Sequence, residues 1–184
     1  MTGYYAPKGG LPPQTSLMTG RAVFTDAYCV IPRGCFSDIV ASLLPGWTNT
    51  RMWLIARPMS GFSETFSQYV VEDGPDGRST TPDTGPGAES VIFVTEGELW
   101  LNINGEGHEL APGGFAYIPP GAEWRLRNGA DPPARFHWIR KIYEPAPGLP
   151  TPAAFVTSDK EVAPVWMPGT SETWGTTRFV DPTD

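Results

Sequence analysis

Histidine and cysteine are scarce in this chain. Its 184 residues include only two histidines, His108 and His137, and two cysteines, Cys29 and Cys35. A site for a transition metal built on imidazole or thiolate therefore has few donors to draw on. His137 stands between Phe136 and Trp138 in a strand-like run, and His108 follows a hairpin-like turn. A lone strand histidine is more often packed than ligating, so no metal site is expected within these residues. The cysteines read as reduced thiols of a cytosolic protein, with no disulfide required. Long apolar runs are also missing: no stretch approaches the 18 residues of a membrane-spanning helix. The opening "MTGYYAPKGGLPPQ" lacks the basic-then-apolar order of a signal peptide. Positive charge is the minority, with 13 Lys and Arg against 20 Asp and Glu, a net charge of −7 and a pI near 4.8. That excludes the basic face of a nucleic-acid partner and the polybasic patch of a membrane partner. Ser-His-Asp, Cys-His and phosphate-cradling glycine patterns are absent as well, so no catalytic residue is assigned.

What is present suits a β protein. Apolar residues make up 40% of the chain and aromatics 12%, enough for a packed core. The 21 glycines and 21 prolines are dispersed, which signals many tight turns. Residues 1–20 read as an extended arm, with Tyr4, Tyr5 and Leu11 as its anchors. Short strand-like runs follow in "AYCVIP", "FSDIVASLL", "RMWLIARP" and "FSETFSQYVVE". In the last, Phe62, Phe66 and Val70 recur at helical spacing, but Ser and Thr at the other positions favour a strand. Residues 73–88, "DGPDGRSTTPDTGPGA", carry no apolar anchor and are expected to be a long surface loop.

The clearest signal is "SVIFVTEGELWLNINGEGHEL". It reads as three strands joined by turns at Glu96-Gly97 and Asn104-Gly105, the second of type I′. Leu99, Leu101 and Ile103 alternate with Trp100 and Asn102, the mark of a strand with one buried face. "FAYIPP", "EWRLRN" and "RFHWIRKIY" continue the series, and strands at this spacing make a sandwich or a barrel. "EPAPGLPTP" then reads as a spacer. The expected division is an arm at 1–20, a barrel at 21–145, and a linker with the start of a second unit at 146–184. Phe155, Trp166, Trp174 and Phe179 in that last part are expected to pack on something outside this barrel.

"GGFAYIPPGAEWRLRN" carries more specific information. Gly113, Pro119, Gly121 and Asn128 stand at the spacing of the second motif of the cupins, the double-stranded β-helix or jelly-roll barrels. Trp124 stands where that motif has its metal-binding histidine. Counting back from Gly97, the acid of the first motif falls at Ser90, with Glu89 beside it, and the His-x-His pair falls at Thr84 and Pro86. The turn-forming residues are kept and the ligands are not. Glu89, Tyr117 and Trp124 remain the candidate lining of a substrate pocket. Against this, Glu89 reads as a strand-end acid paired with Arg125 or Arg127, the two aromatics read as core, and Arg140-Lys141 reads as a solvated strand end.

Beyond the barrel class, the chain resembles the (S)-ureidoglycine aminohydrolases of purine catabolism. The likeness rests on "RAVFTDAYCVIPRGCFSDIVASLLPGWTNT", "GAESVIFVTEGELWLNINGEGHELAPGGFAYIPPGAEWRLRN" and "KIYEPAPG". It implies an all-β cupin fold and the metal-free first half of a two-barrel, homo-oligomeric, cytoplasmic enzyme. That enzyme acts on the small molecule ureidoglycine and carries manganese in its second barrel, whose region this sequence does not contain. The resemblance implies a structural role for these residues. The competing readings are a freestanding metal-free cupin that binds a small polar molecule, and a single-barrel metalloenzyme with unusual ligands.

Overall fold

The computed structural model describes residues 22–32, 35–36, 42–58, 65–83 and 85–180. The expected arm at 1–20 and most of "FSDIVASLL" lie outside the described residues. Two short strands, β1 (Val23–Phe24) and β2 (Cys29–Val30), pair with each other. Then come β3 (Trp47–Ala56), β4 (Phe66–Ser79), β5 (Ala88–Glu96), β6 (Leu99–Ile103) and β7 (Glu106–Leu110). They are followed by β8 (Gly114–Ile118), β9 (Trp124–Arg127), β10 (Ala134–Ile142), β11 (Phe155–Ser158), β12 (Val165–Trp166) and β13 (Gly175–Thr176). Strands β3 to β11 form one nine-stranded sheet, in the order β11-β8-β5-β10-β4-β9-β6-β7 with β3 beside β4. Curled on itself, this is the expected all-β barrel.

Alternation along the strands sorts side chains between an inner and an outer face. Ser90, Ile92 and Val94 of β5 point inward, as do Ala134, Phe136 and Trp138 of β10. They join Met52, Val71, Leu99, Leu101, Leu110, Ile118 and Leu126 in one core. Each large apolar side chain buried there contributes about 1.5–3 kcal/mol. The Asn104-Gly105 turn forms as its residues dictate: φ is 51° and 91°, the left-handed pair that a type I′ hairpin requires.

Two expectations need correction. Residues 73–88 are not one surface loop. β4 runs on to Ser79, with Asp73 and Ser79 buried, and only residues 80–87 connect it to β5. The strand was hidden because its inward positions are hydrogen-bonded polar residues. Thr50 faces Asp73, and Ser79 Oγ donates to the Gly46 carbonyl.

The second correction concerns the aromatics after residue 153. β11 belongs to this same sheet, paired with β8. On the outer face Phe155 stacks over Phe115 and Tyr117, with centroids 5.7 Å apart in each case. Phe179 lies flat on Phe115 at 4.6 Å and meets Phe93 at 5.9 Å. The tail thus covers this barrel's own wall, while Trp166 and Trp174 stay 43% and 45% exposed.

Candidate functional site

The motif residues turn out to be fasteners. Gly113 has φ of 91°, and a Cβ there would fall 2.1 Å from Asp159 Oδ1, so another residue would be strained and would displace Asp159. Asn128 is fully buried, and its side-chain amide donates to the carbonyls of Asp73, Gly74 and Pro132. Its Oδ1 accepts from the Ala130 amide. One side chain therefore ties the end of β9 to the middle of β4.

Trp124 and Ser90, at the positions of a motif histidine and acid, both point inward, and both meet Trp138. The Trp138 indole donates from Nε1 to Ser90 Oγ at 3.1 Å. Its ring meets Trp124 edge-on at 6.0 Å, Trp47 at 5.6 Å and Tyr69 at 5.1 Å. An aromatic box with Trp138 at its centre fills this end of the barrel. Two residues further along the same face, Arg140 grips Asp83 with two hydrogen bonds of 2.6 and 3.0 Å. That hydrogen bonding and charge raise the guanidinium's already high pKa against the opposing effect of burial.

The Arg140–Asp83 pair corrects the reading of Arg140 as a solvated strand end. It also pins the 80–87 connection across the barrel mouth. Trp47 Nε1 donates to the Pro82 carbonyl, and the Tyr143 amide donates to that of Gly87. At Gly85 a Cβ would sit 1.8 Å from Arg140 Nη2, so a side chain there would push the guanidinium from its place on Asp83.

Among the described residues, the side chains at this end offer a metal ion few electron-pair donors. Indole nitrogen is a donor only, and a serine hydroxyl is a poor substitute for a carboxylate. Among the described residues no group of three or more His, Cys, Asp or Glu side chains is arranged to hold one. Thr84, one of the two His-x-His positions, lies outside the described residues.

The candidate pocket residues are split between the two faces. Tyr117 and Glu89 come together on the outer face, where Tyr117 Oη donates to Glu89 Oε2 at 2.8 Å. Burial, then the Glu89 carboxylate, push the Tyr117 hydroxyl above its usual range. Trp124 is on the inner face, in the box. Glu89 is therefore bonded to Tyr117 instead of Arg125 or Arg127, and Arg127 lies over the Trp100 ring at 5.1 Å. His137 is on the outer face, its Nδ1 3.2 Å from Gln68 Nε2, and burial lowers its pKa. His108 lies in the seam between the sheet's two end strands, β7 and β11. Two grooves of about 360 and 350 Å³ share it there, the first also lined by Asn104, Glu106 and Phe155.

Sequence reasoning missed the centre of the box, although "RFHWIR" holds the signal. Its alternation puts Phe136, Trp138 and Arg140 on one face, and Trp138 is the one whose indole reaches Ser90 and whose ring meets Trp124.

Known proteins share this arrangement of strands. A family model described as a cupin domain matches residues 69–140. (S)-ureidoglycine aminohydrolase of Escherichia coli K12 is 26% identical over 110 residues, which are 60% of this chain and 41% of that protein. The crystal structure of a putative glyoxylate-induced protein from Pseudomonas aeruginosa superposes with a TM-score of 0.82. It is 53% identical, and the match covers 100% of this chain and 67% of that one. The structure of protein Ylba from Escherichia coli, 22% identical with a TM-score of 0.71, covers 84% of this chain and 62% of its own and shares the fold. The chain spans less than half the length of the curated relative that it matches.

Proposed function

The chain belongs to the cupin family, and from that premise we propose that it is the metal-free half of a protein of the (S)-ureidoglycine aminohydrolase type. In this reading it is scaffold. The reaction it serves takes ureidoglycine and water to ureidoglycolate and ammonia. The manganese belongs to a second barrel that these residues do not include. The observation that carries the reading is the filled box: two motif positions that would hold a metal ligand are occupied by Trp124 and Ser90, and Trp138 closes against both, with Arg140 bonded to Asp83 further along the same face. The outer face and the tail give the chain its remaining work, which is packing within a homo-oligomer. A cytoplasmic location goes with the reading. No helix among the described residues is long and apolar enough to cross a membrane.

The test uses the 184-residue chain alone, with manganese and ureidoglycine. Ammonia release is expected to match a protein-free blank, and the chain is expected to retain far less than one manganese per molecule after desalting. Release well above the blank, suppressed by a chelator, would overturn the scaffold reading.

The alternative is a freestanding cupin that binds a small polar molecule. One observation favours it: the seam grooves have the volume of small-ligand sites and carry polar side chains at Asn104, Glu106 and His108. Chemical-shift changes at Glu106 and His108 on adding ureidoglycolate would support that reading over pure scaffold.

A further inference from the structure

Among the described residues Asp73 is the carboxylate with no exposure at all, and neither the box nor the tail uses it. It sits where β4 changes partners. Up to residue 73, β4 lies between β3, through Thr50, and β10, through Ala134; beyond the bend Arg78 and Ser79 still face Thr48 and Trp47 of β3, but β9 has taken the place of β10. The chain turns between these stretches. Asp76 has φ of 58° and Asn49, opposite on β3, has φ of 50°, with the Asn49 amide donating to the Pro75 carbonyl at 2.7 Å. The side chain of Asp73 has no exposure at all. Among the described residues its Oδ2 has no partner, and Oδ1 lies 2.7 Å from Thr50 Oγ1.

The hydroxyl of Thr50 also lies 3.0 Å from the Thr48 carbonyl. A hydroxyl carries a single proton, so it cannot donate to Asp73 and to Thr48 together. Both contacts are satisfied only if the carboxyl carries a proton and donates it to Thr50, which then donates to Thr48. The surroundings agree. β3 faces Asp73 with Thr48 and Thr50, β10 with Ala134, and the end of β9 with Asn128. The charged residues beside it in sequence and register, Arg51, Glu72 and Arg135, belong to the opposite face and are tied to one another. Among the described residues no ion pair reaches the carboxyl, and an isolated buried carboxylate is costly.

We infer that Asp73 is held as an un-ionised carboxylic acid that locks the bend in β4, and that losing its proton loosens this bend. Burial pushes the carboxyl up to about 7 from 3.8, outweighing what a hydrogen bond from Thr50 would give the ionised form. In the unfolded chain the group ionises near 3.8; folded, it keeps its proton to about 7. The folded state thus holds an extra proton between those values. Its stability falls as pH rises through the window, and the loss is complete above it. Asp73→Asn keeps the shape and supplies a permanent donor to Thr50, so it removes the pH dependence.

The experiment is urea unfolding of the full chain and of Asp73→Asn from pH 4 to pH 8. The folding constant of the parent chain is expected to fall by up to about 1,000-fold more than that of the variant across this range, from a gap of about three pH units. A variant whose pH profile runs parallel to the parent's would overturn the inference. Should the variant fail to fold, the carboxyl carbon of Asp73 is titrated in the parent chain by NMR. A midpoint above 6 supports the locked acid, and a midpoint near 4 refutes it.

Discussion

Glu72 and Asp73 are neighbours in sequence and opposites in proton demand. Strand alternation puts Asp73 inside and Glu72 outside. Burial alone would raise Glu72, but hydrogen bonds and charge from Arg135 and Arg51 outweigh it and hold the carboxyl below its usual 4.5. Its contribution is present above the unfolded value and is lost as pH falls through the lower folded one. Glu72→Gln is therefore expected to cost about 1–3 kcal/mol at pH 7 and progressively less below pH 4.5, as urea midpoints would show. At this scale the sequence was legible where backbone geometry dictates the residue. Gly113, Gly105 and Asn128 announce themselves, because glycine or asparagine is what such positions accept. Trp124 was legible as core. Asp73 was not, since nothing in "VEDGPDG" says which of two adjacent acids is buried.

Among the elements, the hairpins from β5 to β7 could be read directly, because Asn-Gly and period-two alternation agree with each other. β4 could not be read past residue 72. Its far half fills inward positions with polar groups that bond to the backbone, so the usual apolar mark is missing. β11 was obscured for another reason: it is four residues long and its partner, β8, lies far back in the chain. Asp83, in the connection from β4 to β5, is held from outside that connection by Arg140. Arg140→Ala would leave the largely buried Asp83 carboxylate without its cation, at a cost of about 1–3 kcal/mol. Hydrogen exchange at the Gly85 and Tyr143 amides is expected to quicken at least tenfold, with the amides of β6 and β7 unchanged. Arg140→Lys, which keeps the charge but loses the fork, is expected to fall between the two.

On the scale of the whole molecule, both faces of one sheet are used. The inner face closes on aromatics, and the outer face is covered by the tail. A chain ending at residue 145 would lose β11, leave β8 as an unpaired edge, and uncover Phe93, Phe115 and Tyr117. Such a chain is expected to aggregate or to unfold at markedly lower urea than the full chain, and light scattering with a urea titration would show it. The all-β class and the barrel were visible in strand spacing. The tail's attachment was not, because stacking of Phe155 and Phe179 on a distant strand leaves no periodic trace.

The indole box has a consequence for measurement. Trp47 and Trp124 lie within 6.0 Å of Trp138 at fixed and unequal tilts. Excited states of rings held that close mix, and the mixing depends steeply on distance and angle. The near-ultraviolet circular dichroism of this protein is thus a built-in gauge of whether the barrel's end is shut, readable without any label.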